Sequence, residues 1–219
     1  MDSDTVTFLA LGDSYTIGES VDPSMRWPVL LAAAANKIGL TVEDPVIIAR
    51  TGWTTDELSE GIEAADLTGT FDLVSLLIGV NNQYRGREIE EYRDQFLALL
   101  SRAVAFAGGD PGRVLVLSIP DWGATPFAEG RDRGHVASEI DAFNEVNRTE
   151  SEGAGVRYLD VTKISREAAT DPALVAEDGL HPSGTMYARW AEAALPIVER
   201  ILGSKPGAGG PSSGAGGSF

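Results

Sequence analysis

The sequence predicts a doubly wound α/β domain on a parallel sheet. Five short runs are apolar without alternation, and helical segments separate them. Continuous apolar strands belong to a sheet covered on both faces, and alternation of strands with helices gives parallel crossovers. The chain has 219 residues, 43% hydrophobic and 23% charged, which suits one domain with its own core.

The elements follow in order. Residues 5–11 (TVTFLAL) form a buried strand ending at Gly12. Residues 25–38 have helical apolar spacing, with Ser24 as N-cap and Pro28 in the first turn. Residues 45–50 (PVIIAR) are a second strand. Thr54-Thr55-Asp56-Glu57 fits a capping box, so a helix starts there. Residues 71–78 (FDLVSLLI) are a third strand, and residues 88–107 a long helix closed by Gly108-Gly109-Asp110-Pro111-Gly112. Residues 113–119 (RVLVLSI) are the fourth strand, 137–152 a helix and 156–161 (VRYLDV) the fifth strand. Residues 185–202 form the last helix, with a bend expected at Pro196. The folded domain thus spans residues 1–202. Residues 203–219, rich in Gly, Pro and Ser, have too little apolar surface to offset ordering entropy and read as a flexible tail.

Charge and composition exclude several functions. Seventeen Lys and Arg stand against 33 Asp and Glu, a net charge of −16 that repels nucleic acid and anionic lipid. With no Cys there is no disulfide framework, thiolate metal site or cysteine nucleophile. No apolar run reaches the ~20 residues of a membrane span. The acidic start, Met1-Asp2-Ser3-Asp4, is unlike a secretory leader, so a cytoplasmic location is the default expectation; separately, a monomer is expected. No pair of histidines has metal-ligand spacing, and no metal is expected.

In doubly wound sheets ligands bind beyond the carboxyl ends of the strands. The loop after the first strand reads Gly12-Asp13-Ser14-Tyr15. A Ser on a tight strand-to-helix turn exposes its hydroxyl beside its own N–H, although an ordinary N-cap Ser looks the same. Before the last helix stands Asp178-Gly179-Leu180-His181-Pro182. A Ser needs a base, and a His needs a carboxylate to fix its tautomer; a loop His capped by a nearby Asp is the alternative. The other histidine, His135, lies in a polar connection and reads as solvated. Gly79-Val80-Asn81-Asn82 follows the third strand and offers an amide donor, or a turn Asn. Thr51-Gly52-Trp53 follows the second, where Gly52 allows close backbone approach or simply a turn.

These four blocks, in this order, resemble the GDSL or SGNH hydrolase family over about residues 5–202. The resemblance implies a flavodoxin-like α/β/α sandwich with sheet order 2-1-3-4-5. It implies hydrolysis of esters, thioesters or O-acetyl groups without a cofactor. It makes Ser14 the nucleophile, His181 the base and Asp178 its orienting carboxylate. Ser14 N–H, Gly52 N–H and the Asn81 side chain would form the oxyanion hole. The family's third block usually ends in Asp, where this chain has Asn82, which puts the orientation of Asn81 in question.

Trp53, Tyr84, Trp122 and Phe127 fall in loops at the same end and suit an apolar acyl pocket or a sugar platform. Arg85 and Arg87 stand where a substrate anion or plain solvent would meet them. Arg26-Trp27-Pro28 resembles thioesterase-like members. Gly210-Pro211-Ser212-Ser213-Gly214 mimics a nucleophile elbow but lacks a preceding strand. Asn147-Arg148-Thr149 is a glycosylation sequon without a secretory context. The expected function is a serine hydrolase of small carboxylic esters, O-acetyl groups, lysophospholipids or thioesters. The alternative is a non-catalytic binding module on the same fold.

Overall fold

The computed structural model describes residues 5–203. Five parallel strands form one sheet in the order β2-β1-β3-β4-β5. They are β1 (Phe8–Gly12), β2 (Val46–Ala49), β3 (Leu73–Leu77), β4 (Val114–Leu117) and β5 (Arg157–Leu159). Central β1, β3 and β4 are buried at every residue, whereas edge strands β2 and β5 are partly exposed. The continuous apolar runs therefore mark the middle of the sheet, as double coverage requires.

Among the described residues eight α-helices accompany the strands: α1 (Ser14–Ile17), α2 (Trp27–Lys37), α3 (Thr55–Ala64), α4 (Val80–Tyr84), α5 (Ile89–Phe106), α6 (Arg133–Gly153), α7 (Thr162–Arg166) and α8 (Gly184–Gly203). Right-handed crossovers fix the layers. The step from β1 to β2 runs opposite to all later steps, so α2 lies on one face and α3, α5 and α6 on the other. The last helix, α8, packs on α2 and on β3. Trp27 of α2 and Tyr187 and Trp190 of α8 are fully buried in this layer. The strand order reverses between β1 and β3, which opens a crevice over β1.

Several element boundaries differ from expectation. Asp22 accepts the Ser24 N–H and makes a separate 3-10 turn at Pro23–Met25, so α2 starts at Trp27 rather than at residue 25. Asp132 accepts the His135 N–H and starts α6 at Arg133, one turn early. The polar stretch after β3 is helical as α4, and α7 follows β5. The last helix includes Gly203; the rest of the expected tail and the elbow-like Gly210–Gly214 motif lie outside the described residues. Asn147 of the sequon is fully buried on α6 and accepts from the Tyr92 hydroxyl.

Candidate active site

The turn after β1 is built for close packing. A Cβ on Gly12 would sit 2.2 Å from Thr16 Oγ1 and 2.5 Å from the Leu77 carbonyl oxygen, so only glycine fits between β3 and the new helix. Asp13 caps α1 by accepting the Tyr15 N–H at 3.0 Å. Ser14 is the first helical residue, so its N–H lacks an intrahelical partner. The Asp13 side chain is fully buried, and its Oδ2 has no hydrogen-bond partner in the protein. Burial pushes its carboxyl up to about 7, against the Tyr15 N–H and its own backbone N–H, which lower it.

The segment before α8 folds on itself. The Ala176 N–H donates to the His181 carbonyl, and Gly179 turns the chain with φ +72°. Asp178 Oδ1 accepts the N–H groups of Leu180 and His181, each at 2.9 Å. Asp178 Oδ2 lies 2.6 Å from His181 Nδ1 and accepts from Ser20 Oγ at 2.7 Å. Burial is the largest single influence on this carboxyl and pushes it up. The His181 ring, the two backbone N–H groups and Ser20 together outweigh it and hold the carboxyl well below the usual range. An Nδ1–H given to Asp178 leaves His181 Nε2 as an acceptor. The Tyr15 ring stands edge-on to the imidazole, with centroids 5.7 Å apart.

The loops after β2 and β3 are braced together by α4. Asn81 Nδ2 donates to the Trp53 carbonyl at 2.9 Å, and Arg85 Nη2, one turn on, donates to the Gly52 carbonyl at 2.6 Å. Asn81 is thus oriented by Trp53, not by Asn82. The buried Asn82 points the other way, to Thr55 at the start of α3. Glu57 closes the capping box on the Thr54 N–H at 2.8 Å and also meets Arg85. Thr51 Oγ1 donates to Glu19.

Ser14, Gly52, Asn81 and His181 line one cavity of about 170 Å³ with Tyr84, Trp122 and Phe127. The three aromatic rings pack on one another, with Tyr84–Trp122 centroids 5.5 Å apart and Trp122–Phe127 5.8 Å apart. Trp122 is buried and donates its Nε1–H to Gln83, which in turn donates to Glu139. Tyr84 and Phe127 are exposed at the rim.

One expected pocket residue is elsewhere. The Trp53 indole packs over Gly61 of α3, where a Cβ would lie 2.2 Å from the ring, and it does not line the cavity. Thr51, Tyr15, Val80 and Leu180 line it instead. Arg85 and Arg87 are committed to the protein, Arg85 to Gly52 and Glu57, Arg87 to Asp56 and Glu91. His135 is largely exposed, 3.3 Å from Glu139. Among the described residues no cluster of three or more His, Asp or Glu side chains is placed to hold a metal ion, and no helix is long and apolar enough to cross a membrane.

No curated protein matches the chain significantly by sequence. Solved structures share the fold. The crystal structure of TesA superposes with a TM-score of 0.71 at 21% identity, over 90% of this chain and 99% of that one. An acetyl xylan esterase, AlAXEase, gives 0.69 at 16% identity, over 88% and 100%. The lipase/acylhydrolase from Enterococcus faecalis gives 0.67 at 20% identity, over 93% and 100%. Residues 10–189 match the model of the GDSL-like lipase/acylhydrolase family. With most of its length matched, the chain belongs to that family of ester-hydrolysing enzymes.

Proposed function

We propose that the protein is a serine esterase in which Ser14 is the nucleophile, His181 the general base and Asp178 the carboxylate that orients it. The observation that carries this reading is the 2.6 Å contact between His181 Nδ1 and Asp178 Oδ2, on a histidine that lines the same cavity as Ser14. His181 Nε2 takes the Ser14 proton as Oγ attacks the ester carbonyl. The developing oxyanion is met by the N–H groups of Ser14 and Gly52 and by the second N–H of Asn81 Nδ2, the first being held by Trp53. His181 then protonates the leaving alcohol, and water releases the acyl group by the same steps.

The cavity favours a small acyl group. A void of roughly 150 Å³ holds a benzene ring, and about 170 Å³ lined by Tyr84, Trp122 and Phe127 suits a chain of similar bulk. That supports short acyl esters or O-acetyl groups over long lipids. The aromatic wall also supports a sugar alcohol, in line with the acetyl xylan esterase of the same fold. A non-catalytic module has no use for an ionised carboxylate held on His181, which weighs against that alternative.

An organophosphonate tests the reading. It should label one site, Ser14, and abolish hydrolysis of a nitrophenyl ester, and Ser14→Ala should prevent both. Labelling that persists in Ser14→Ala would overturn the assignment.

A further inference from the structure

We propose that Ser20 is a positioning residue for Asp178, and that its strained backbone is retained for that role. The proposal rests on the reading of Asp178 and His181 as the orienting carboxylate and base.

Ser20 has φ +64°, one of two non-glycine residues in this region of conformational space among those described. The other, Asp66, is of a type that tolerates it; serine is not enriched there. Two residues earlier the chain makes a similar turn, φ +69°, with Gly18. The turn at Ser20 thus keeps a side chain where glycine would be less strained. That side chain donates to Asp178 Oδ2 at 2.7 Å, the same oxygen that faces His181 Nδ1. Ser20 is exposed, so water would satisfy its hydroxyl if the carboxylate did not. Burial does not demand the bond.

Placement gives the bond its meaning. Oδ1 of Asp178 is held by N–H groups of its own loop. Ser20 is the donor that comes from elsewhere in the fold, 158 residues away in sequence. It lies three residues beyond the end of α1, whose last turn closes through the N–H groups of Gly18 and Glu19 on the Ser14 carbonyl. Ser20 therefore pins the carboxylate, and through it the imidazole, to the turn that carries Ser14. Loss of the hydroxyl lets the carboxylate rotate and loosens His181 relative to Ser14, which harms the chemical step more than binding.

Two substitutions separate this role from a merely structural one. Ser20→Gly removes the hydroxyl and relieves the backbone; Ser20→Thr keeps the hydroxyl and adds a β-branch to the strained turn. With a nitrophenyl ester, kcat of Ser20→Gly should fall about tenfold, the scale of one hydrogen bond to a charged group, with KM changed less than twofold and Tm equal to or above wild type. Ser20→Thr should keep kcat within about threefold while its Tm falls. A Ser20→Gly enzyme with undiminished kcat would overturn the proposal, as would one that loses activity and Tm together. Asp178→Ala separates the two readings. If it is fully active, the reading of Asp178 as the orienting carboxylate fails; if it is crippled while Ser20→Gly is not, only the role of Ser20 fails.

Discussion

The side-chain amide of Asn82 satisfies both polar groups of Thr55, accepting its N–H at 3.1 Å and donating to its Oγ1 at 2.7 Å. The bonds continue outward, from Thr55 Oγ1 to Gln95 and from Gln95 Nε2 to Glu91. Asn82 thereby fastens α4 to the first turn of α3 and takes no part in the cavity. An aspartate in its place can still accept from the Thr55 N–H and can take the Thr55 hydroxyl, with the Gln95 amide turned to follow. Asn82→Asp should therefore keep kcat/KM within roughly tenfold of wild type, about 1.4 kcal/mol. A loss as deep as that of Asn81→Ala would reverse the two roles. Asn82→Ala strands buried partners and should lower stability by about 1–3 kcal/mol, read as a shifted denaturant midpoint.

If the Asn81 amide meets the oxyanion as proposed, Asn81→Ala should lower kcat by roughly 10²-fold or more with little change in KM, because that charge exists only in the transition state. Steady-state kinetics on a short nitrophenyl ester decide it. An equal effect on KM would instead make Asn81 a ground-state contact.

Asp13 makes stability depend on pH in a defined direction. Burial raises its carboxyl from 3.8 to about 7, so the folded chain binds this proton more tightly than the unfolded one. The contribution is fully present below about pH 4, declines as pH rises towards 7 and is lost above it. The change from 3.8 to about 7 corresponds to at most about 4 kcal/mol. Asp13→Asn keeps the cap on the Tyr15 N–H and removes the titration. Denaturant unfolding should show the variant gaining on wild type between pH 5 and pH 8. A gap that is constant across that range would refute the buried acid.

Phe127 stands half out of the wall at the cavity rim, against Tyr84 and Trp122. Phe127→Ala should raise KM several-fold for butyryl and hexanoyl esters, with kcat nearly unchanged and acetyl esters least affected. A uniform loss across chain lengths would move Phe127 out of the acyl site.

The sheet was legible because β1, β3 and β4 are unbroken apolar runs, and their parallel order follows from the helices between them. The Asp178–His181 contact was legible because both residues sit in one short loop whose geometry is local. Other features depend on distant partners. Nothing near Ser20 in sequence points to Asp178. The stretch VNNQY of α4 has the composition of a turn and is helical because Asn81, Asn82 and Arg85 are tied to the neighbouring loops. Trp53 read as a rim residue because loop aromatics at this end are ambiguous; the clue was Gly61, which leaves a slot for the indole inside α3. The early start of α6 was masked by Gly134 in its first turn, which lowers helix propensity where Asp132 caps.

The two braces from α4, Asn81 on the Trp53 carbonyl and Arg85 on the Gly52 carbonyl, join β3 to β2 across the end of β1. They form an arch whose outer footing is a four-residue strand paired on one side only. Such margins open at lower free energy than the centre of a sheet. Local detachment of β2 would carry Gly52 away while β1, β3 and β4 stayed assembled. If Gly52 belongs to the oxyanion hole as proposed, activity is tied to a sheet margin, so on gradual denaturation hydrolysis should vanish, and amide protons of β2 exchange, before the helical signal declines.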